Sequence, residues 1–256
     1  MSYDARAIVD LTVLLTVFKR KTLREQLNAI LRQTVKPAQI IVFQNERHVR
    51  LPIRELRKSG VAYVQNSTNT KFFGRFAHLL TAETEFLAVF DDDVIPGTRC
   101  LENYLAQAQA FNGIIGGNGR IGRTNPLKDE LIQPTDFGVR PHPTLVDFVG
   151  HVWVFKKARL HDMFSIPPVT FATGEDMHLC FASKLRSSTR AYVAAQATLE
   201  DSCDVRRNQY ADDEIASFRH TPKTERERVE EYFGAQGLKF ITPAEQQEAA
   251  QSLASW

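Results

Sequence analysis

The chain has 256 residues, 43% hydrophobic and 24% charged, and it carries 17 Phe, 6 Tyr and 2 Trp, too much apolar surface for a disordered chain. Thirteen Gly and 11 Pro are too few for a collagen-like or Gly/Pro-rich repeat. The net charge of +2 divides unevenly, because residues 1–80 hold 14 Lys/Arg against 5 Asp/Glu and the remainder holds 18 against 25.

In chain order, the first half alternates strand and helix patterns. Leu11–Phe18 is an apolar run of the length of a buried strand, and Thr22 stands where it would cap a helix over Leu23–Leu31. Gln39–Phe43 reads as a second strand, Pro52–Lys58 as a short helix and Val61–Val64 as a third strand. Phe72–Leu80 follows as a helix, and Glu85–Phe90 is a fourth strand running straight into Asp91-Asp92-Asp93. Four strands separated by helices predict an α/β fold, Rossmann-like, with a mostly parallel sheet and helices on both faces. Ligands of such sheets bind beyond the carboxyl ends of the strands. Those ends, at Lys19/Arg20, Gln44/Asn45, Gln65/Asn66 and Asp91–Asp93, are polar where the strand interiors are not.

From Gly97 a helix reaches about Phe111, Gly113–Gly117 reads as a short strand, and the glycines of Gly116-Gly117-Asn118-Gly119 read as a turn. Residues 118–143, with Arg120, Arg123 and Lys128, read as a long loop able to act as a lid. Val146–Phe155 is a further strand and Glu175–Leu185 a helix; beyond about Arg206 the chain is charged and helical, over Glu225–Phe233 and Ala244–Leu253. Cys100, Cys180 and Cys203 are too scattered for a disulfide framework or a cysteine zinc site and suit a reducing compartment. The longest apolar stretch is too short to cross a bilayer, and the N-terminus carries acids rather than a secretion signal. The expected location is cytoplasmic.

Two acidic clusters carry the chemistry. Asp91-Asp92-Asp93 contains a D-x-D spacing at a strand end, where adjacent carboxylates repel one another unless a cation compensates. Mg²⁺ or Mn²⁺, which take oxygen ligands and leave places for substrate phosphates, fit that demand. Alternate residues leaving a strand point the same way, so Asp91 and Asp93 are expected on one ion, with Asp92 pointing elsewhere. A solvated turn is the other account of the same residues. Glu175-Asp176 opens a helix behind Gly174; the pair serves either as helix-dipole caps or as a general base.

These pieces in order resemble the nucleotide-sugar-dependent glycosyltransferases of the GT-A fold, and over residues 10–196 the large family-2 group. They are Phe18-Lys19-Arg20, Gln33-Thr34, Pro37, Ile40–Val42, Asn69, Arg75, Asp91–Asp93 and Gly174–Leu179, with Arg75 sixteen residues before Asp91 as in that group. Gln44-Asn45 replaces the group's usual acidic pair. Asn45 and Phe18-Lys19-Arg20 are closer to the exostosin-like N-acetylhexosaminyltransferases, which retain anomeric configuration.

The resemblance implies one GT-A domain over residues 1–205, with a nucleotide-binding half (1–93), an acceptor half (94–205) and a helical extension (206–256). It implies a nucleotide-diphosphate sugar donor, UDP favoured, bound by Phe18, Arg20, Asn45, Asn69, Arg75, Asp91 and Asp92. It further implies Mn²⁺ or Mg²⁺ on Asp91 and Asp93 with a late histidine, His220, although His220 also reads as a free surface residue. Asp176 would take the proton of an acceptor hydroxyl in an inverting displacement, with Glu175 orienting acceptor or base. The acceptor would be a saccharide or glycoconjugate, with His151 and Trp153 as a platform; a core position for Trp153 is the alternative. A retaining enzyme or an inactive sugar-nucleotide-binding module are the competing readings. Nucleic acid is not needed to account for the basic first third.

Overall fold

A computed structural model of the chain describes residues 6–122, 131–132, 139–206, 214, 220 and 223–256. The strand–helix alternation of the first half is realised as β1 (Ile8–Val17), α1 (Leu23–Leu31), β2 (Lys36–Gln44), α2 (Ile53–Lys58), β3 (Ala62–Gln65), α3 (Phe73–His78) and β4 (Phe86–Phe90). β1 lies parallel between β2 and β4, and β3 lies parallel on β2, so four carboxyl ends emerge on one edge.

The second half adds α4 (Cys100–Phe111), β5 (Ile114–Arg120), β6 (Leu131–Ile132), β7 (Thr144–Val146), β8 (Phe148–Lys156), α5 (Ala158–Phe164), α6 (Glu175–Ser187), β9 (Ala191–Val193), α7 (Lys223–Ala235) and α8 (Pro243–Leu253). Among the described residues the sheet runs β3-β2-β1-β4-β8-β5-β9-β7, with β6 on β5. β8 is antiparallel to β4, which brings its first residues beside the end of β4; Asp91 N–H donates to the His151 carbonyl at 3.0 Å. Both halves therefore build one sheet.

Strand alternation sends side chains to two layers. Val13, Leu15, Ala88 and Phe90 pack with Leu23, Ile30, Leu56, Leu101 and Tyr104 under α1, α2 and α4. Leu14, Leu87 and Val89 pack with Phe73, Phe76, Met163, Phe181 and Phe233 under α3, α5, α6 and α7.

Two sequence expectations change. Gly116–Gly119 is not a turn but the middle of β5, and its glycines are there for close approach. A Cβ on Gly116 would lie 2.2 Å from the Val149 Cβ, and one on Gly117 would lie 2.4 Å from the Cys203 Sγ. The single strand expected from Val146 is two, broken at Asp147, whose buried carboxylate accepts from the N–H groups of Gly122 (2.8 Å) and Ile241 (3.0 Å). The lid expected over 118–143 falls largely outside the described residues, as do Arg123 and Lys128.

Candidate functional site

β4 stops at Phe90, and Asp92 and Asp93 lie in the turn that follows. Side chains from the α1 region grip this turn. The Gln26 amide donates to the carbonyls of Asp91 (2.7 Å) and Val94 (2.9 Å), and the Thr22 hydroxyl donates to the Asp92 carbonyl at 2.5 Å. The backbone is fixed independently of the carboxylates, which repel one another. Arg20 bonds Asp92 at 2.6 Å and lies 3.6 Å from Asp93. This corrects the expected alternation: Asp92 and Asp93 share Arg20, whereas Asp91 faces Arg75 on α3. The period-two rule lapses where extended backbone gives way to the turn.

Arg75 is the hub. Its guanidinium bonds Asp91 on one side and Glu175 at 2.8 Å on the other, over the rings of Trp153 (4.7 Å) and Phe76 (5.4 Å). Burial works against that charge, but Asp91 and Glu175 more than offset it and hold its pKa above the ordinary value. Contacts spanning 16 and 100 residues of sequence thus link the strand-end acids, through Arg75, to the head of α6. Gly174 makes the turn into α6 with φ +80°, a left-handed conformation that favours glycine. Glu175 is buried and carries a pKa raised to about 7, by burial first and then by Asp176 and Asp91, with Arg75 and Arg226 opposing. Asp176 accepts from the Met177 N–H at 2.8 Å and from Arg226 of α7 at 2.8 Å, and Arg226 lies 5.2 Å over the Phe148 ring.

The remaining expected residues divide. Phe18 is half-buried at the end of β1, edge-on to His48 at 4.6 Å with the Lys19 ammonium 5.2 Å from its ring. The Asn45 amide donates to Asn69 Oδ1 (2.9 Å) and the Lys71 carbonyl (3.0 Å), and its oxygen accepts from the N–H and hydroxyl of Thr70, both at 2.9 Å. This corrects the expectation of direct donor binding: all four valences of the Asn45 amide hold the loop bearing Asn69, so Asn45 shapes the wall.

Trp153 is also corrected. It is 2% exposed in the core, donates its indole N–H to the Val149 carbonyl at 2.8 Å and carries Arg75, so it offers no face to an acceptor. His151 does not alternate with it. β8 runs from Gly150 to Trp153 opposite only Gly116–Asn118 of β5, and His151 takes up the extra residue with φ +68°. At that bulge His151 lies near enough to Asp93 to oppose the rise in its carboxyl pKa. His220 is exposed, with its Nε2 2.6 Å from the Glu214 carbonyl, and it is not brought to the aspartates. Among the described residues no group of three His, Cys, Asp or Glu is arranged to hold a metal ion.

The sequence profile of glycosyl transferase family 2 matches residues 12–164, more than half of the chain. The chain belongs to glycosyl transferase family 2. Solved structures agree on the fold. The crystal structure of S. aureus TarS 1–349 aligns at a TM-score of 0.53 and 16% identity, over 73% of this chain and 60% of that one. The same TarS segment in complex with UDP aligns at 0.53 and 15% identity, over 73% and 58%. A longer TarS structure aligns at 0.52, and this chain covers 36% of it. The family-2 chain thus has the GT-A fold while spanning at most about 60% of the TarS chains it matches. No curated protein matches it in sequence.

The family match covers β1 to α5, including Asp91–Asp93 and Arg75, and leaves Glu175, Asp176 and Arg226 outside it. In this family-2 site Asp92 Oδ2 and Asp93 Oδ1 are buried without a hydrogen-bond partner among the described residues. The Asp93 carboxyl has a pKa raised to about 6, by burial and by Asp91, with Asp92 adding and His151 and Arg20 opposing. Hard oxygen donors crowded against like charge and lacking a partner fit a divalent cation such as Mg²⁺ or Mn²⁺. Arg226 escaped the sequence reading because it lies fifty residues past Asp176 in a charged helix that offers no motif.

Proposed function

We propose that this family-2 chain transfers a sugar from a nucleotide-diphosphate sugar, with UDP the favoured nucleotide, to a hydroxyl of a saccharide or glycoconjugate. One observation carries it: the buried Asp91–Arg75–Glu175 bridge unites the strand-end acids and the head of α6 into one charged cluster at the carboxyl edge of the sheet. The complex of TarS with UDP supports the choice of nucleotide.

Arg20 and Phe18 flank the region where the donor's nucleotide and phosphates would lie, on a wall held by Asn45 and Asn69. Asp92 and Asp93, with their unpartnered oxygens, would hold a divalent cation. When bound, that ion would supply positive charge to the departing diphosphate, so no protein acid would be required there. Asp176 is only partly buried and anchored on one side by Arg226. It would accept the acceptor hydroxyl proton as the oxygen forms its bond to the anomeric carbon and the bond to the diphosphate breaks. Glu175, fixed by Arg75, orients Asp176 and the acceptor, and displacement from the opposite face inverts the anomeric centre.

The test is a thermal-shift screen of UDP- and GDP-sugars with and without Mn²⁺, followed by product analysis. A ligand at a hundred times its Kd adds about 2.7 kcal/mol, or roughly 5–10 °C in a domain of this size. A UDP-sugar shift in that range, with transfer or slow donor hydrolysis lost in Asp176→Asn, is expected. The proposal fails if no nucleotide sugar shifts the transition, or if Asp176→Asn keeps full turnover. The anomer of the product, read by NMR, separates inversion from retention.

A further inference from the structure

Only Arg20 and Arg75, of the fourteen cations in residues 1–80, enter the carboxylate cluster. Four others and the same Arg20 draw attention to one feature beside it. A groove of about 680 Å³ runs along the β1–α1 turn and the outer face of α1, lined by Lys19, Arg20, Lys21, Arg24 and Arg32. Its one acid, Glu25, bonds Arg206 at 2.9 Å and is neutralised from outside the lining. Lys21, Arg24 and Arg32 are exposed and have no ion-pair partner among the described residues.

Like charges in a concavity focus a positive potential that a flat, solvated face does not. Arg24 in the first turn of α1 and Arg32 at its C-cap stand eight residues apart, about 12 Å along the helix axis, so one small anion does not satisfy both. The groove is also continuous with the proposed site, because Arg20 belongs to its wall while holding Asp92 and Asp93.

We infer that this groove binds an anionic saccharide chain, one bearing carboxylate or phosphate groups at intervals, as the acceptor. This rests on the glycosyltransferase reading and names its acceptor class. The repeated anions lie along Lys21, Arg24 and Arg32, and Arg20 marks the end of the groove nearest the carboxylate cluster. A membrane surface suits the feature less well, since the cations line a groove rather than a flat or protruding face. Nucleic acid offers repeated anions but no reason for the groove to open on this site.

The experiment uses the full chain and two measurements. Fluorescence anisotropy with a labelled galacturonate hexamer and with phosphomannan reads the groove, with maltohexaose as the neutral control; calorimetry with UDP and Mn²⁺ reads the donor site. The anionic glycans are expected to bind more tightly than maltohexaose and to weaken with salt. Arg24→Glu/Arg32→Glu, altering only exposed side chains, is expected to weaken that binding by roughly tenfold or more while UDP affinity and the circular dichroism spectrum stay unchanged. The inference is overturned if neither anionic glycan exceeds the neutral one or if the double variant binds them as the parent does. It is also overturned if a DNA oligonucleotide or phosphatidylglycerol vesicles bind tenfold more tightly than either glycan. Loss of UDP binding by the parent with anionic glycan binding intact would instead refute the glycosyltransferase reading.

Discussion

Removing Arg75 tests the architecture of the site directly. Arg75→Met keeps much of the side-chain volume over Trp153 and Phe76 but leaves Asp91 and Glu175 without their shared cation. Breaking a buried ion pair from one side costs about 3–5 kcal/mol, because the abandoned charge stays buried. In a chain of this size that is roughly a 10 °C fall in Tm. The loss depends on pH with a definite sign. Glu175 has a folded-state pKa of about 7, above its ordinary value near 4.5, so its favourable protonation is complete below the lower value and is lost as pH rises through the higher one. Without Arg75 the anion is less favourable still, so the deficit is larger at about pH 8.5 than at about pH 5, where Glu175 is protonated in both proteins. Urea unfolding of both proteins at the two pH values measures it. Arg75→Met/Glu175→Gln is expected to recover a large part of the deficit at the higher pH. A deficit under about 1 kcal/mol, or one equal at both pH values, would refute a buried charge hub.

Asp93 gives a complementary case. Its folded pKa of about 6 lies above the ordinary value of 3.8, so stability declines as pH rises from about 4 through 6. Asp93→Asn removes that cost and is expected to raise stability by about 1–3 kcal/mol near neutral pH while abolishing sugar transfer; thermal unfolding and turnover check the two halves. Arg226→Ala leaves Asp176 with its Met177 N–H alone, and a fall of roughly tenfold to a hundredfold in kcat is expected, partly restored by Arg226→Lys. Unchanged UDP affinity by calorimetry would distinguish this from a folding defect. Asn45→Ala strips four hydrogen bonds from the Asn69–Lys71 loop and is expected to cost about 1–3 kcal/mol and to weaken UDP binding, both read in one calorimetric series.

The parts of the site legible in the sequence are those fixed by local backbone. β1 to β4 were readable because apolar runs separated by amphipathic segments leave one economical arrangement, and that arrangement places Phe18, Asn45 and Asp91 on a common edge. Period-two reasoning failed for Asp92 at the turn and for His151, where φ +68° breaks the alternation that would have paired it with Trp153. Trp153 itself read equally well as core or platform, and only the position of Arg75 above it decides the matter. Pairing partners were less legible, because repulsion between acids demands a cation without saying where in the chain it lies. The structure draws Arg20 from the β1–α1 turn, Arg75 from α3 and Arg226 from α7.

Those three guanidiniums face five carboxyl groups, those of Asp91, Asp92, Asp93, Glu175 and Asp176. The mismatch is not spread evenly. Glu175 and Asp176 each have an arginine of their own or a shared one at hydrogen-bond distance, while Asp92 Oδ2 and Asp93 Oδ1 are buried without a partner. A fold that needed only internal neutrality would place another cation there or replace one acid by an amide, as the expected stability of Asp93→Asn implies. The acids persist on the side of the cluster that faces the strand edge, where the protein's own cations run out. With all five ionised, the deficit equals the charge of one divalent cation and lies beside two unpartnered oxygens of the kind such a cation takes. The charge balance therefore supports a site completed by its ligands rather than by the chain.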